Sequence, residues 1–197
     1  MRRRKDVQLD RQGQTRMATP SDTKTDGADM IYILMGVSGS GKTTVGQLLA
    51  QRLGCGFHDA DAFHSDANKA KMHAGVPLTD EDRWPWLAAM RAAIDAARAE
   101  GRTHVFTCSA LRQAYRDRLT PPDGGVTFVF MKGDASLIGT RLSARTEHFF
   151  NPDLLQSQFD TLEEPSDALV LDIRQSPEAL VATILQATVP QGAGAAR

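Results

Sequence analysis

The apolar run Ile31-Tyr32-Ile33-Leu34 leads into Met35-Gly36-Val37-Ser38-Gly39-Ser40-Gly41-Lys42-Thr43-Thr44, and Val45-Gly46-Gln47-Leu48-Leu49 follows. Residues 36–43 match the pattern G-x-x-x-x-G-K-[ST] at every position. That loop works in one context, the turn between a buried strand and a helix. Its glycines let backbone N–H groups turn inward around phosphate oxygens, and the helix N-terminus adds positive partial charge. The candidate nucleotide contacts are therefore Gly36, Ser38, Gly39, Ser40, Gly41, Lys42, Thr43 and Thr44. Lys42 is expected to reach the β and γ phosphates of a nucleoside triphosphate, and the Thr43 hydroxyl to join a Mg²⁺ shell. A chance glycine-rich turn is the competing reading, and the full match between strand and helix argues against it.

The rest of the chain agrees with that start. Short apolar runs at 30–35, 56–59, 104–108, 126–131 and 168–172 read as strands, and they alternate with helical spacings. The helical stretches are 43–53, 67–74, 84–100, one through Leu111, Tyr115 and Leu119, then 135–145, 154–162 and 177–189. Such alternation predicts an α/β fold with a five-stranded parallel sheet covered on both faces. Residues 1–29 are polar with little to bury and are expected to form a disordered arm, with Met17 or Met30 as alternative starts. The folded domain is expected over 30–189, and 190–197 as a loose tail.

Composition narrows the function. With 197 residues, a formal net charge of −1 and 41% hydrophobic residues, a single globular domain is expected, and nothing favours nucleic acid or a membrane surface. No apolar run approaches the roughly 20 residues of a membrane span. Arg2-Arg3-Arg4-Lys5 precedes polar sequence, so no signal peptide is expected, and Cys55 and Cys108 suggest no disulfide framework. A cytoplasmic protein follows. The third strand ends Thr107-Cys108-Ser109 without the acidic residue often found there in motor ATPases and GTPases. Asn68-Lys69-Ala70-Lys71 lacks the terminal Asp of a guanine-reading motif. A small phosphotransferase is the favoured class, against a nucleotide-binding regulatory module.

Residues 58–87, HDADAFHSDANKAKMHAGVPLTDEDRWPWL, are dense in polar side chains. Asp59 and Asp61 stand near the carboxyl end of a strand, where ligands collect in open α/β sheets. One suits a metal shell and the other a hydroxyl proton, although an Asp-x-Asp in isolation is more often a cap or turn. His64 serves either an acceptor hydroxyl or a helix cap. Lys71 and Arg83 are candidate cations for an anionic substrate, with surface pairing to Asp80, Glu81 or Asp82 as the alternative. Trp84 and Trp86 read as packing anchors.

Taken together, several segments resemble the small bacterial-type gluconokinases. They are Met35–Lys42, Asp59-Ala-Asp61-x-x-His64, Asn68-x-x-Lys71-Met72, Gly75-x-Pro77-Leu78 and Asp82-Arg83-x-Pro85-Trp86-Leu87. Cys108-Ser109-Ala110-Leu111, Tyr115-Arg116-Asp117, Lys132-Gly133, Arg141-Leu142-x-x-Arg145 with His148-Phe149-Phe150, and Gln158-Phe159-x-x-Leu162-Glu163-x-Pro165 add to the match. The resemblance covers about 30–188. It implies ATP-dependent phosphorylation of D-gluconate to 6-phosphogluconate, an adenylate- or shikimate-kinase-like fold and a homodimer. A kinase for another sugar acid or for shikimate is the nearest rival. By analogy with related kinases, Arg141 lies over the adenine and Arg145 reaches the phosphates, with about 146–165 as a mobile lid. A solvated basic helix end is the plainer reading of both arginines. The loop 172–176, with Arg174, is a candidate adenine edge reader through its backbone.

Overall fold

All five residues of β1 (Ile31–Met35) are buried. A strand buried on both faces needs neighbours on either side and helices above and below. The computed structural model, which describes residues 30–144 and 152–188, supplies both. Its sheet has five parallel strands in the order β2 (Gly56–Asp59), β3 (His104–Thr107), β1, β4 (Val126–Lys132), β5 (Leu169–Asp172). Each lies within a residue of the expected strand. The described helices are α1 (Lys42–Leu53), α2 (Asp66–His73), α3 (Asp80–Ala99), α4 (Gln113–Leu119), α5 (Ala135–Ser143), α6 (Pro152–Thr161) and α7 (Pro177–Thr188). None is long and apolar enough to cross a membrane.

Successive side chains of a strand point to opposite faces, so the continuous apolar run of β1 feeds two cores. Tyr32 and Leu34 pack with Val45 and Leu49 of α1 and with Leu180 and Ile184 of α7. Ile31, Ile33 and Met35 face Leu87, Met90 and Ile94 of α3 and Leu119 of α4. Full burial of one such side chain contributes about 1.5–3 kcal/mol, far more than helix propensity differences. Packing on the sheet therefore decides where these helices lie.

Helix α3 begins at Asp80, a turn before the expected Trp84. Thr79 and Asp82 form a reciprocal capping box, the Thr79 hydroxyl accepting from Asp82 N and the Asp82 carboxylate from Thr79 N. Asn68 Nδ2 also donates to the Asp82 carbonyl at 2.8 Å. Pro85 then sits inside the helix, and the carbonyl its missing N–H leaves unpaired belongs to exposed Glu81, where water can serve it.

Of the segment expected to be a lid, residues 152–165 include α6, which is docked: Leu155 is buried and Phe159 packs on the same core. Glu163 accepts from Gln113 N at 2.6 Å and donates its own N–H to the Leu111 carbonyl at 2.9 Å. The terminal arm, the tail and the segment with Arg145, His148, Phe149 and Phe150 lie outside the described residues.

Candidate active site

Parallel strands bring every carboxyl end to one edge, and the expected site residues follow those ends. After β1 the chain curls through residues 36–41 into α1. Gly41 enters the helix at φ 92, with no side-chain cap and no acidic residue in the first turn, so the helix N-terminus stays open to an anion. Gly39 has φ 81, and a Cβ there would fall 2.7 Å from Leu142 Cγ. Only glycine serves both needs. Lys42 Nζ donates to the carbonyls of Gly36 and Val37, each at 2.9 Å, which holds the ammonium inside the curl.

At the end of β2 the two halves of the site meet. Thr43 Oγ1 donates to Asp59 Oδ2 at 2.9 Å, while Asp59 Oδ1 accepts from Asp61 N at 3.1 Å. Asp59 is thus a cap and also a neighbour of the phosphate loop. Burial, together with the Asp59 carboxylate, pushes the Asp61 carboxyl above its ordinary range, while His64 and Lys42 pull it back.

Trp86 positions this segment from α3. Its indole N–H donates to the Ala60 carbonyl at 2.7 Å, and its ring stacks on His64 at 4.2 Å between centroids. Burial pushes His64 down from its ordinary value, so the imidazole is neutral near pH 7. His64 Nδ1 is buried without a hydrogen-bond partner. Leaving a lone pair there costs less than stranding an N–H, so the proton belongs on Nε2 and His64 is a neutral donor.

The expected substrate cations have different surroundings. Lys71 Nζ binds both oxygens of Asp82, at 2.7 and 2.8 Å, and so braces the start of α3. Arg83 reaches Asp80 Oδ1 at 3.4 Å and Tyr115 Oη at 3.2 Å. Arg112, not singled out from the sequence, holds the other Asp80 oxygen at 2.8 Å. The Tyr115 hydroxyl, with Arg112 and Arg83 behind it, keeps the Asp80 carboxyl below its ordinary range. Cys108, fully buried, has its thiol pushed up to about 12 by desolvation and is no nucleophile.

On the other side of the loop lies a cavity of about 330 Å³. Its walls are Gly39, Ser40, Gly41 and Thr44 of the loop, Arg141 of α5, and Ile173, Gln175 and Pro177 after β5. It adjoins the phosphate loop and has room for a nucleoside. Arg141 Nη2 donates to the Ile173 carbonyl at 2.6 Å, and the residue lines this cavity. The Arg174 side chain pairs with Asp172, and its loop neighbours Ile173 and Gln175 form that wall.

Ser38 has a partner that the sequence did not assign. Gln158 Oε1 accepts from Ser38 N at 2.7 Å and Gln158 Nε2 donates to Ser38 Oγ at 3.1 Å. The available signal was the Leu155, Phe159 and Leu162 spacing, which turns one face of α6 onto the core and carries Gln158 beside it.

Comparison with known proteins gives the family of this chain. A family model described as shikimate kinase matches residues 38–188. The chain is 43% identical over 160 residues to the thermoresistant gluconokinase of Escherichia coli K12, covering 79% of this chain and 91% of that protein. It is 47% identical over 145 residues to a probable gluconokinase of Dictyostelium discoideum, covering 71% and 72%. A gluconokinase structure from Sinorhizobium meliloti 1021 superposes with a TM-score of 0.71 at 41% identity, over 81% of this chain and 91% of that one. The chain belongs to the gluconokinase family, built on the shikimate-kinase type of P-loop kinase fold.

Proposed function

We propose that the protein transfers the γ-phosphoryl group of ATP to the terminal hydroxyl of D-gluconate, giving 6-phospho-D-gluconate. The observation that carries this reading is the 2.9 Å bond from Thr43 to Asp59, which joins the phosphate loop to the carboxylate pair. In the step, the acceptor oxygen bonds to phosphorus, the bond to the β-phosphate oxygen breaks, and the hydroxyl proton passes to Asp61. Such transfer is largely dissociative, so positioning and a proton sink matter more than strong activation of the hydroxyl. Lys42 and the loop N–H groups hold the phosphates, and neutral His64 donates to an acceptor hydroxyl.

Mg²⁺ fits the donor set here, a hydroxyl and a carboxylate already in contact, since this ion takes few protein ligands and several from phosphate and water. Thr43 and Asp59 would hold it, and when bound it would neutralise charge on the β and γ phosphates. Arg141 stands at the nucleoside cavity, and Arg145 is proposed to reach the phosphates. A cytoplasmic homodimer completes the proposal.

An ADP-release assay across D-gluconate, related sugar acids and shikimate, with product mass, tests this reading. D-gluconate should give the highest kcat/KM and a product heavier by one phosphoryl group. Preference for shikimate or another acid, or ADP release independent of acceptor, would overturn it.

A further inference from the structure

Arg112 stands at the end of the segment after β3, immediately before α4. In that same segment the Ser109 carbonyl accepts from Gly36 N of the phosphate loop at 3.2 Å, so the segment borders the site. Arg112 Nη1 crosses to Asp80 Oδ2 at 2.8 Å, in the first turn of α3. The other Asp80 oxygen takes the Tyr115 hydroxyl at 2.5 Å and, more loosely, Arg83 at 3.4 Å. The Arg83 and Arg112 guanidinium carbons lie 5.6 and 5.9 Å from the Tyr115 ring centroid.

Two guanidinium charges against one carboxylate leave this group with one positive charge in excess. The Arg112 guanidinium spends a single N–H on Asp80, makes no other hydrogen bond among the described residues, and belongs to a side chain 42% exposed. A fork with idle donors, stiffened by an aromatic ring and carrying surplus charge, matches a planar monoanion.

We propose that Arg112 is a specificity-determining residue which, together with Arg83, binds the carboxylate of the acceptor; this rests on the gluconate reading above. Asp80 is a brace, holding both guanidinium groups while leaving one charge for the substrate. The placement suits a linear polyol acid. His64 stacks on Trp86, three residues along α3 from Arg83, and the His64 backbone N–H donates to the Asp61 carbonyl at 3.4 Å, so the cations, the neutral donor and the proton acceptor follow one another along the site. One end takes the carboxylate and the other the reacting hydroxyl. A neutral polyol of the same length would leave the surplus charge unmatched.

The test compares wild type, Arg112→Met and Arg112→Lys with D-gluconate as substrate and D-glucitol as a neutral competitor, alongside ADP release without acceptor. Arg112→Met should raise KM for gluconate roughly 10- to 100-fold, the range for losing one hydrogen-bonded charge. The glucitol inhibition constant and acceptor-free ADP release should stay within about twofold. Arg112→Lys, which keeps the charge but loses the fork, should recover part of the loss, as should added methylguanidinium with Arg112→Met. Equal losses for gluconate and glucitol would reduce Arg112 to a structural role. A fall in acceptor-free ADP release would place it on the phosphates instead. Unchanged KM would overturn the proposal while leaving the gluconate reading standing, whereas wild type inactive on gluconate would remove both.

Discussion

Gln158 and Ser38, 120 residues apart, are joined by two hydrogen bonds, one to the backbone N–H of the phosphate loop and one to its hydroxyl. This clasp ties α6 to the curl that must stay open for phosphate. Each bond is worth on the order of 1 kcal/mol net, so Gln158→Ala should lower kcat/KM for ATP by about 10-fold with little change in melting temperature. Steady-state kinetics at saturating acceptor and a thermal melt check this. An unchanged KM for ATP with a large drop in melting temperature would make the clasp purely structural.

Lys42 opens α1 at the end of the loop, and its ammonium donates to the carbonyls of Gly36 and Val37 in that curl. Lys42→Ala should cut turnover by roughly 10²-fold or more, the scale for losing one preorganised charge partner. The fold should survive, because no core side chain is touched. Full turnover in this variant would refute the phosphate-loop assignment.

The two carboxylates should separate by role. Asp61→Asn keeps shape but removes the proton acceptor, so turnover should fall roughly 10²-fold or more with nucleotide binding intact. Asp59→Asn should instead shift the Mg²⁺ concentration needed for half-maximal rate, since Asp59 is the carboxylate touching Thr43. Rates measured across a Mg²⁺ series distinguish them. A near-normal Asp61→Asn beside an Asp59→Asn dead at saturating Mg²⁺ would exchange the roles.

Asp82 supplies a pH test of stability. The Lys71 ammonium and then the Thr79 N–H hold its carboxyl below the ordinary range. A carboxyl with a depressed folded-state pKa stabilises the fold above its unfolded value of about 3.9, and that contribution is lost as pH falls through the folded value. Asp82→Asn should therefore melt below wild type at pH 7, with the gap closing in acid. Melting curves from pH 7 to below about 3.9 follow the gap as it closes. A gap independent of pH would mean that geometry, not charge, makes the cap.

Arg116 is 2% exposed and donates to the carbonyls of Ala110, at 2.9 Å, and Leu111, at 3.3 Å. Ala110 is in the left-handed region at φ 43, an unusual place for a residue with a Cβ. The Leu111 carbonyl keeps a second donor in Glu163 N, but the Ala110 carbonyl has no other donor among the described residues. Arg116→Met should cost about 1–3 kcal/mol by stranding that carbonyl, and should raise KM for gluconate by displacing Arg112. Chemical denaturation and acceptor kinetics measure the two effects. Stability within error of wild type would show that the turn holds itself.

Local chemistry made the frame legible in the sequence. Short continuous apolar runs, helical spacings and the complete phosphate-loop pattern each depend on a few neighbouring residues, and all five strands stand within a residue of where those patterns put them. The placement of Asp59 and Asp61 beside the loop followed too, because parallel strands send every carboxyl end to one edge. The start of α3 did not, because the Thr79–Asp82 box competes with Pro85 and the winner depends on Asn68 and Lys71 from another helix.

Pairing across the molecule was decided by tertiary structure alone. Lys71 and Arg83 are both cations near the acceptor segment, yet packing gives Lys71 to the helix cap Asp82 and leaves Arg83 loosely on Asp80 with Arg112 opposite. Arg141 and Arg174 look alike in the sequence, but of the two only Arg141 lines the cavity beside the phosphate loop, since Arg174 meets Asp172 two residues away. Residue type sets what a side chain can bind. Which partner reaches it first depends on how helices settle on the sheet, and that is decided by apolar burial far from the charges themselves.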